Sequence, residues 1–495
     1  MRAHQKLQRG IQALLIGLAC LLTPWTASTQ ASPSGVQVKK VLFQQVNATT
    51  RIVLAVNGSP TDLNVSDQPG KPMTVSFRGA AIAKTLPINR KFSWPNLSGV
   101  YADQANGRIQ IFIKRNITGT VNVSTEKNHV IVTIPNFYYR LNSQNEIASG
   151  VRYLRFSEKS AQGPVQINML EVDPRNPAVD ILPALASNRM GAKNNVSSMV
   201  LNHQAVAGIN GSFFKPDVGI PLGVLIINQE LISGPIYDRV ALGITTTNEL
   251  VMSRIHLGGE VILPDGRPIR IHNINQPRVQ ANTTVVYSSR WGSMAPKVPA
   301  NGLQIQLRDN RVTAVSNTNP LPIPKDGVVI SGPATPELQA LAAQPPNRPV
   351  RLDLYTLPDW SGMKHAIGGG PWLVKKGQPF VDWSAQHFSS RSLGTREPRS
   401  AVGITADGKM LLVTVDGRQK NVSVGMTLYE LAYLMRKLGA VDAMNLDGGS
   451  STQMSIYGKT VNTPSAGNVG VSNSLLIRTT NGDNVAVQSP SGFSR

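Results

Sequence analysis

Over residues 36–135 the apolar positions recur every second residue in short runs. Ile52, Leu54 and Val56 alternate, as do Met73, Val75 and Phe77, then Ile109, Ile111 and Ile113, then Val130, Val132 and Ile134. Asn-Gly, Pro-Gly and similar turn signals separate the runs, so the pattern predicts a small antiparallel β domain. Residues 136–162, rich in Asn, Ser and Gln, read as a connector. From 163 to 485 the chain reads as one large mixed domain, with strands expected at 165–172, 178–183, 224–227, 328–330, 411–415 and 440–446. One helix stands out at 427–438. Thr427-x-x-Glu430 spells a capping box, Leu428, Leu431, Leu434, Met435 and Leu438 line one face, and Gly439 marks the stop. No internal repeat is read, and residues 486–495, rich in Ser, Gly and Gln, are expected to be a disordered tail. The fold class expected is α+β and β-rich: a small antiparallel β domain followed by a large mixed α/β domain of catalytic type.

Composition narrows the picture. Hydrophobic residues make up 41% of the 495, enough for a sizeable core, while charged residues are 16%, well under the roughly 25% of an average soluble domain. That excludes a highly charged disordered chain. Residues 1–31 have the anatomy of a cleaved signal peptide: Arg2, Lys6 and Arg9, then an apolar stretch over 11–22, then small residues at Thr29 and Ala31. A periplasmic or secreted, envelope-associated location is expected, with no membrane-spanning segment once the signal is removed. The single cysteine, Cys20, lies within that leader, so the mature chain has neither a disulfide nor a thiol nucleophile. Net charge is +21. Residues 36–140 hold 13 basic and 4 acidic side chains, which suits docking onto an anionic envelope polymer such as peptidoglycan. Nucleic acid is not expected as a partner, because the chain carries an export signal and 5% aromatics and spells no basic helix. The strand at Arg51-Ile52-Val53-Leu54 and the run from Pro72 to Ala80 resemble the AMIN domain, a periplasmic targeting module, which implies the same docking role.

Four glycine-rich or polar knots interrupt the strand-like runs of the large domain. They are Asn210-Gly211-Ser212-Phe213-Phe214, His365 through Gly368-Gly369-Gly370-Pro371, Arg399 through Gly403 with Asp416-Gly417-Arg418 downstream, and Asn445-Leu446-Asp447-Gly448-Gly449-Ser450-Ser451. Glycine clusters let a backbone approach a ligand and present its N–H groups. The last knot is the most specific: a capped helix leads into an apolar strand that ends on a carboxylate followed by glycines and hydroxyls. No His-x-x-x-His pattern or acidic cluster argues for a transition metal, and no cofactor is implied. Asp416 and Asp447 together offer carboxylates to a shared Ca²⁺, though their spacing does not demand one.

In that order the knots, closed by Asn473 in Val471-Ser472-Asn473-Ser474, resemble the phosphodiester glycosidase family, the domain of N-acetylglucosamine-1-phosphodiester α-N-acetylglucosaminidase. The resemblance runs over about 163–480. It implies a hydrolase that cuts the C1–O–P linkage of a sugar-1-phosphodiester in an envelope polysaccharide. The alternative is a wall- or polysaccharide-binding protein that keeps the fold without the chemistry. In the catalytic reading, Asp447 is the sugar-side carboxylate and Asp416 the second one, with Glu397 in reserve. Arg399 and Arg418 would contact phosphate. Asn210, Gly211, Asn445, Gly448, Gly449, Ser450, Ser451 and Asn473 would bind or orient the substrate, and Gly368, Gly369 and Gly370 would supply backbone donors. Two departures stand out: Ser450 replaces the third glycine of the Asp-Gly-Gly-Gly knot, and Val469-Gly470 replaces an Arg-Pro before the final strand.

Overall fold

The structure is a computed structural model that describes residues 36–479, apart from 47–48, 69–70, 80, 83–85, 87, 93, 95–96, 116–120, 136–138, 161 and 279. The expected leader and C-terminal tail lie outside the described residues. The β-rich α+β class holds, with strands throughout and four α-helices among the described residues. Among the described residues, pairing between named strands is antiparallel except for two short parallel contacts, Gln37–Val38 with Ala81–Ile82 and Asn273–Ile274 with Val285–Val286.

Residues 36–135 form two five-stranded sheets packed face to face. The period-2 pattern decides which side chains turn inward: Ile52, Leu54, Val75, Phe77, Ile109, Ile111, Val130 and Val132 are all fully buried between the sheets. Several basic side chains lie on the outside, among them Lys39, Lys40, Arg51 and Arg90. Asp62 and Asp67 pair with Arg108 and Arg115, while Arg90 and Lys114 lie over the rings of Phe43, Phe92 and Tyr101.

The expected connector is instead a long hairpin. Strands Tyr139–Ala148 and Val151–Ser160 pair with each other and add to Gly163–Val172 at one edge of an eight-stranded sheet. The polar composition that suggested a linker belongs to an edge strand whose residues 140–146 are all exposed. The next strand buries Val151 and Tyr153 on one face and Leu154 and Phe156 on the other, each in a different core, so its burial follows no simple alternation.

Two halves of the large domain repeat one arrangement. In the first, the strand order is Glu230–Ser233, Leu225–Ile227, Met363–Gly368, Val240–Thr245, Leu250–Arg254. In the second it is Gln378–Pro379, Trp372–Lys375, Ala440–Asn445, Arg399–Thr405, Met410–Val415. The register matches as well. Ala241, Leu242, Gly243 and Ile244 pair with Gly368, Ile367, Ala366 and His365, and Ala401, Val402, Gly403 and Ile404 pair with Asn445, Met444, Ala443 and Asp442. The sequence carries the trace of this: Arg239-Val-Ala-Leu-Gly-Ile-Thr245 against Arg399-Ser-Ala-Val-Gly-Ile-Thr405. This corrects the expectation of no internal repeat; the trace is seven residues long, and the chain between Thr245 and Arg399 hides it.

The two halves differ in what bridges the hairpin to the middle strand. In the first it is a β subdomain of a three- and a five-stranded sheet, between strands His256–Ile262 and Arg351–Leu357, with its own core of Val261, Ile269, Ile305, Ile330, Leu338 and Leu341. In the second it is the helix Leu428–Lys437. Thr427 caps that helix by accepting from the Glu430 N–H, and Glu430 reaches back to the Thr427 N–H at 2.9 Å. Leu428, Leu431, Leu434 and Met435 pack on Leu411, Val413 and Ala401 of the sheet below. Thr427→Ala should therefore lower stability by about 1 kcal/mol, read as a shift in the urea midpoint at unchanged slope.

A further five-stranded sheet, ordered Val179–Leu185, Asn473–Thr479, Ala207–Asn210, Met454–Ile456, Lys459–Thr460, closes the domain. Its Ile181, Ile209 and Leu475 share one core with Leu242, Ile367, Val402 and Met444 of the repeated halves. That shared core brings three strand ends, at Asn210, Arg399 and Asn445, to the same place.

Candidate active site

Hydrogen bonds between chain segments more than 150 residues apart build the site. Asn210, buried at the end of its strand, donates from Nδ2 to the Asp447 carbonyl at 2.7 Å. Its Oδ1 accepts from the Ser400 hydroxyl at 2.7 Å and the Gln453 N–H at 3.2 Å. The Asp447 N–H in turn donates to the Gly211 carbonyl at 3.2 Å. Asn473, also buried, accepts the Ser212 N–H at 2.8 Å and donates to the hydroxyls of Ser212 and Ser472. A Cβ on Gly211 would lie 2.0 Å from Asn473 Oδ1, so only glycine fits there. Asn210 and Asn473 are thus consumed in positioning the Asp447 segment and are not free for sugar hydroxyls.

Asp447 itself is half-buried. It accepts the Gly448 N–H at 3.0 Å and is hydrogen-bonded by the Ser451 hydroxyl. Burial, outweighing those two bonds, pushes it up to about 6. The chain then turns through Gly449 at φ +62°, a left-handed conformation, into a short 3₁₀ turn over Gly449–Ser451. Arg418 reaches over this turn: its Nη2 lies 3.1 Å from where a Gly449 Cβ would sit, and its Nη1 donates to Ser450 Oγ at 3.3 Å. Glu397 braces it from behind, 2.5 Å from Nε. Ser450, the departure from the family's third glycine, is therefore the residue that steadies Arg418. The Arg418 side chain is 46% exposed. A carboxylate at Asp447 and a guanidinium at Arg418 thus both contact the Gly448–Ser450 turn.

The other expected site residues are placed differently. Arg399 is buried, and its guanidinium is spent on backbone carbonyls: Nε on Met426 at 2.9 Å, Nη2 on Ser392 at 3.0 Å and Thr395 at 2.8 Å. It staples a loop to its strand and is not available to phosphate. Gly368, Gly369 and Gly370 supply no free donors, because their N–H groups bond the carbonyls of Val224, Val240 and Asn445 at 2.8, 2.9 and 2.7 Å. The close approach these glycines permit is to the neighbouring strands: a Cβ on Gly369 would fall 2.6 Å from the Asn445 carbonyl. Asn445 is buried and donates to the carbonyls of Gly370 and Leu446, leaving its Oδ1 enclosed without a partner. His365 is buried, accepts the Asn228 N–H, and is pushed down to about 4, so it is neutral at physiological pH.

Asp416 has neighbours of its own. It borders a cavity of about 350 Å³ lined by Arg155, Gln166, Asn168, Asn421 and Thr463, with Pro164, Val422 and Val461. Its two oxygens accept from Asn462 Nδ2 at 2.8 Å and the Thr463 N–H at 3.0 Å, and burial holds its carboxyl above the usual range. Among the described residues no hydrogen-bond partner is common to Asp416 and Asp447. Asn462 connects them indirectly, through its second bond to the Thr452 carbonyl. No group of three or more His, Cys, Asp or Glu side chains able to hold a metal occurs among the described residues. No helix among them is long and apolar enough to cross a membrane.

One residue escaped the sequence reading. Arg239, just before strand Val240–Thr245, lies with its guanidinium carbon 3.9 Å from the Phe388 ring centroid, 5.5 Å from that of Phe213 and 5.4 Å from that of Tyr237. Its Nε donates to the Gln386 carbonyl at 3.1 Å. Burial lowers it to about 10. The signal that could have found it is the Arg-x-Ala-x-Gly spelling it shares with Arg399.

Residues 301–478, about a third of the chain, match the family model for the phosphodiester glycosidase domain. That stretch holds Gly368–Gly370, Arg399, Asp416, Arg418, the Asp447 knot and Asn473, and leaves out Asn210 and Arg239. The prophage-derived protein YomE of Bacillus subtilis is 36% identical over 121 residues, covering 24% of this chain and 18% of its own length. The mouse N-acetylglucosamine-1-phosphodiester alpha-N-acetylglucosaminidase is 30% identical over 108 residues, 20% of each chain. The chain thus spans about a fifth of the length of these curated relatives. Among solved structures, a hypothetical protein from Synechocystis superposes with a TM-score of 0.63 at 21% identity, over 90% of this chain and 80% of that one. A Burkholderia pseudomallei protein, provisionally named as exported, gives 0.57 at 19% identity, over 93% and 100%. These two likenesses are of fold.

Proposed function

We propose that the chain is an exported hydrolase that cleaves the C1–O–P linkage of sugar-1-phosphodiesters in envelope glycans or exopolysaccharide. The observation that carries this reading is the Asp447 carboxyl, positioned by the Asn210–Gly211 segment and by its own Gly448–Ser451 turn, with the Arg418 guanidinium over the Gly449–Ser450 part of that turn. In the reaction the bond between sugar C1 and the bridging oxygen breaks. The electron pair leaves with the phosphate monoester, and water forms the new C1–O bond while its proton passes to solvent. The transition state has oxocarbenium character, which an ionised Asp447 stabilises from the sugar side. A phosphate monoester leaves readily, so the leaving side needs a cation more than a strong acid, and Arg418 supplies one. Arg399 is engaged with backbone carbonyls, so the chemistry is assigned to Asp447 and Arg418. The phosphodiester glycosidase match over 301–478 supports the same class.

The basic outer face of the N-terminal sandwich would hold the enzyme to an anionic envelope polymer, as an AMIN-like module does. Salt-sensitive pelleting with isolated cell wall tests that docking. The non-catalytic reading, a polysaccharide-binding protein on the same fold, has one observation in its favour: Arg399 and the three glycine N–H groups are already taken by the protein itself.

The deciding experiment incubates the full chain with a panel of sugar-1-phosphodiesters, GlcNAc-1-phosphodiester first, and follows free reducing sugar. Turnover supports the hydrolase. No turnover on any diester, with binding to isolated cell wall, moves the assignment to the binding protein. In the same assay Arg418→Gln should raise KM roughly tenfold, with a smaller fall in kcat, because it removes a charged contact to a group that is anionic before and after the bond breaks.

A further inference from the structure

We infer that Arg239 is the residue that grips the phosphoryl group of the ligand, in the role that its counterpart Arg399 does not perform. The inference rests on the phosphodiester reading above and adds a contact to the same site. Its basis is the internal duplication. Arg239 and Arg399 occupy equivalent places in two strands of identical register, each beside the middle strand of its half. Arg399 spends its guanidinium on three carbonyls. Arg239 spends only Nε, on the Gln386 carbonyl. Among the described residues its Nη1 and Nη2 have no acceptor, neither is sealed from solvent, and no carboxylate pairs with it. The adjacent acid, Asp238, turns away to His256 at 2.7 Å.

A half-buried cation without a counter-ion is costly, and aromatic faces compensate only part of that cost. Such an arrangement persists where an anion completes it. The surroundings tie this cation to the Asp447 site from two sides. Phe213, one of its three rings, follows Gly211-Ser212, and the Gly211 carbonyl holds the Asp447 N–H. The Val240 carbonyl accepts the Gly369 N–H, and the next residue, Gly370, donates to Asn445, two residues before Asp447. Phe388, the nearest ring, packs against Gly370. Two free Nη groups in one plane match two phosphoryl oxygens, a geometry that a single ammonium cannot reproduce. Arg418 would then meet the phosphate from the exposed side and Arg239 from the enclosed side.

The test is calorimetric titration of inorganic phosphate, with acetate as the comparison anion, into the full chain and its Arg239→Gln and Arg239→Lys variants. Phosphate affinity is expected to fall about tenfold or more in Arg239→Gln and to recover partly in Arg239→Lys, with acetate weaker than phosphate throughout. Unchanged phosphate affinity in Arg239→Gln, or no phosphate binding by the wild-type chain, overturns the inference. If Arg239→Gln does not fold, Arg239→Lys decides: a partial loss supports the bidentate contact, and wild-type affinity overturns it. The assay needs no turnover. Arg239-dependent phosphate binding in a chain that cleaves no diester would retire the hydrolase reading and leave this one standing, while cleavage with Arg239→Gln as active as wild type would do the reverse.

Discussion

Asp447→Asn is expected to abolish turnover, lowering kcat by about a thousandfold or more while the chain stays folded. The amide keeps the size of the side chain and can still meet Ser451 and the Gly448 N–H through its oxygen. What it loses is the negative charge that an oxocarbenium-like transition state requires. The pH dependence gives a second readout. Because burial pushes Asp447 up to about 6, the wild-type kcat/KM should fall below that pH by about tenfold per unit, an acid limb absent from the variant's residual activity. Stability moves the other way. A carboxyl that titrates higher in the folded chain than in the unfolded one binds its proton more tightly when folded. Its contribution is therefore greatest at low pH and is lost as pH rises from near 3.8 through about 6. At neutral pH the wild type carries an ionised, desolvated Asp447 at a cost of up to ~3 kcal/mol, which the asparagine relieves. Thermal midpoints of Asp447→Asn should thus equal or exceed the wild type at pH 7.5, with the gap closing towards pH 4. A variant that retains activity within tenfold would remove Asp447 from the centre of the site.

Arg399→Met should produce the largest loss of stability, of order 3–5 kcal/mol. The methionine replaces the aliphatic stem but leaves the carbonyls of Met426, Ser392 and Thr395 without their charged donor. The damage would spread to the site, because Arg399 anchors the segment next to Pro398, whose carbonyl accepts the Gly449 N–H at 2.8 Å. Urea unfolding measures the loss, and kcat/KM corrected for the folded fraction separates it from any direct effect on substrate. If the variant unfolds within about 1 kcal/mol of wild type yet binds phosphate poorly, Arg399 is a ligand contact after all. Arg418→Gln provides the contrast. Its side chain is 46% exposed and its ion pair with Glu397 lies at the surface, so its effect on stability should be under about 1 kcal/mol.

Much of the fold was legible because it is written locally. Alternation at Ile52, Leu54 and Val56 implies a strand whatever lies across from it, and Thr427 with Glu430 specifies a helix start within four residues. The Asp447 knot was legible for the same reason, since a strand followed by Asp-Gly-Gly is a local statement. The hairpin over residues 139–160 was misread because an edge strand is polar for a reason outside itself: nothing covers its faces. Arg239 was missed because the resemblance was read through the motif around Arg399, and the matching spelling 160 residues earlier was not set beside it.

The sequence by itself determined the elements, their polarity and the residue types gathered at the knots. It could not determine which of those groups remain free, because that depends on partners far along the chain. Three glycines in a row spell the same word whether their N–H groups await a ligand or bond Val224, Val240 and Asn445. Two arginines in identical sequence frames diverge because one meets three carbonyls and the other three aromatic rings. Periodicity is set by the backbone of each segment, whereas hydrogen-bond saturation is set by where other segments come to rest, and only the tertiary structure decides the second.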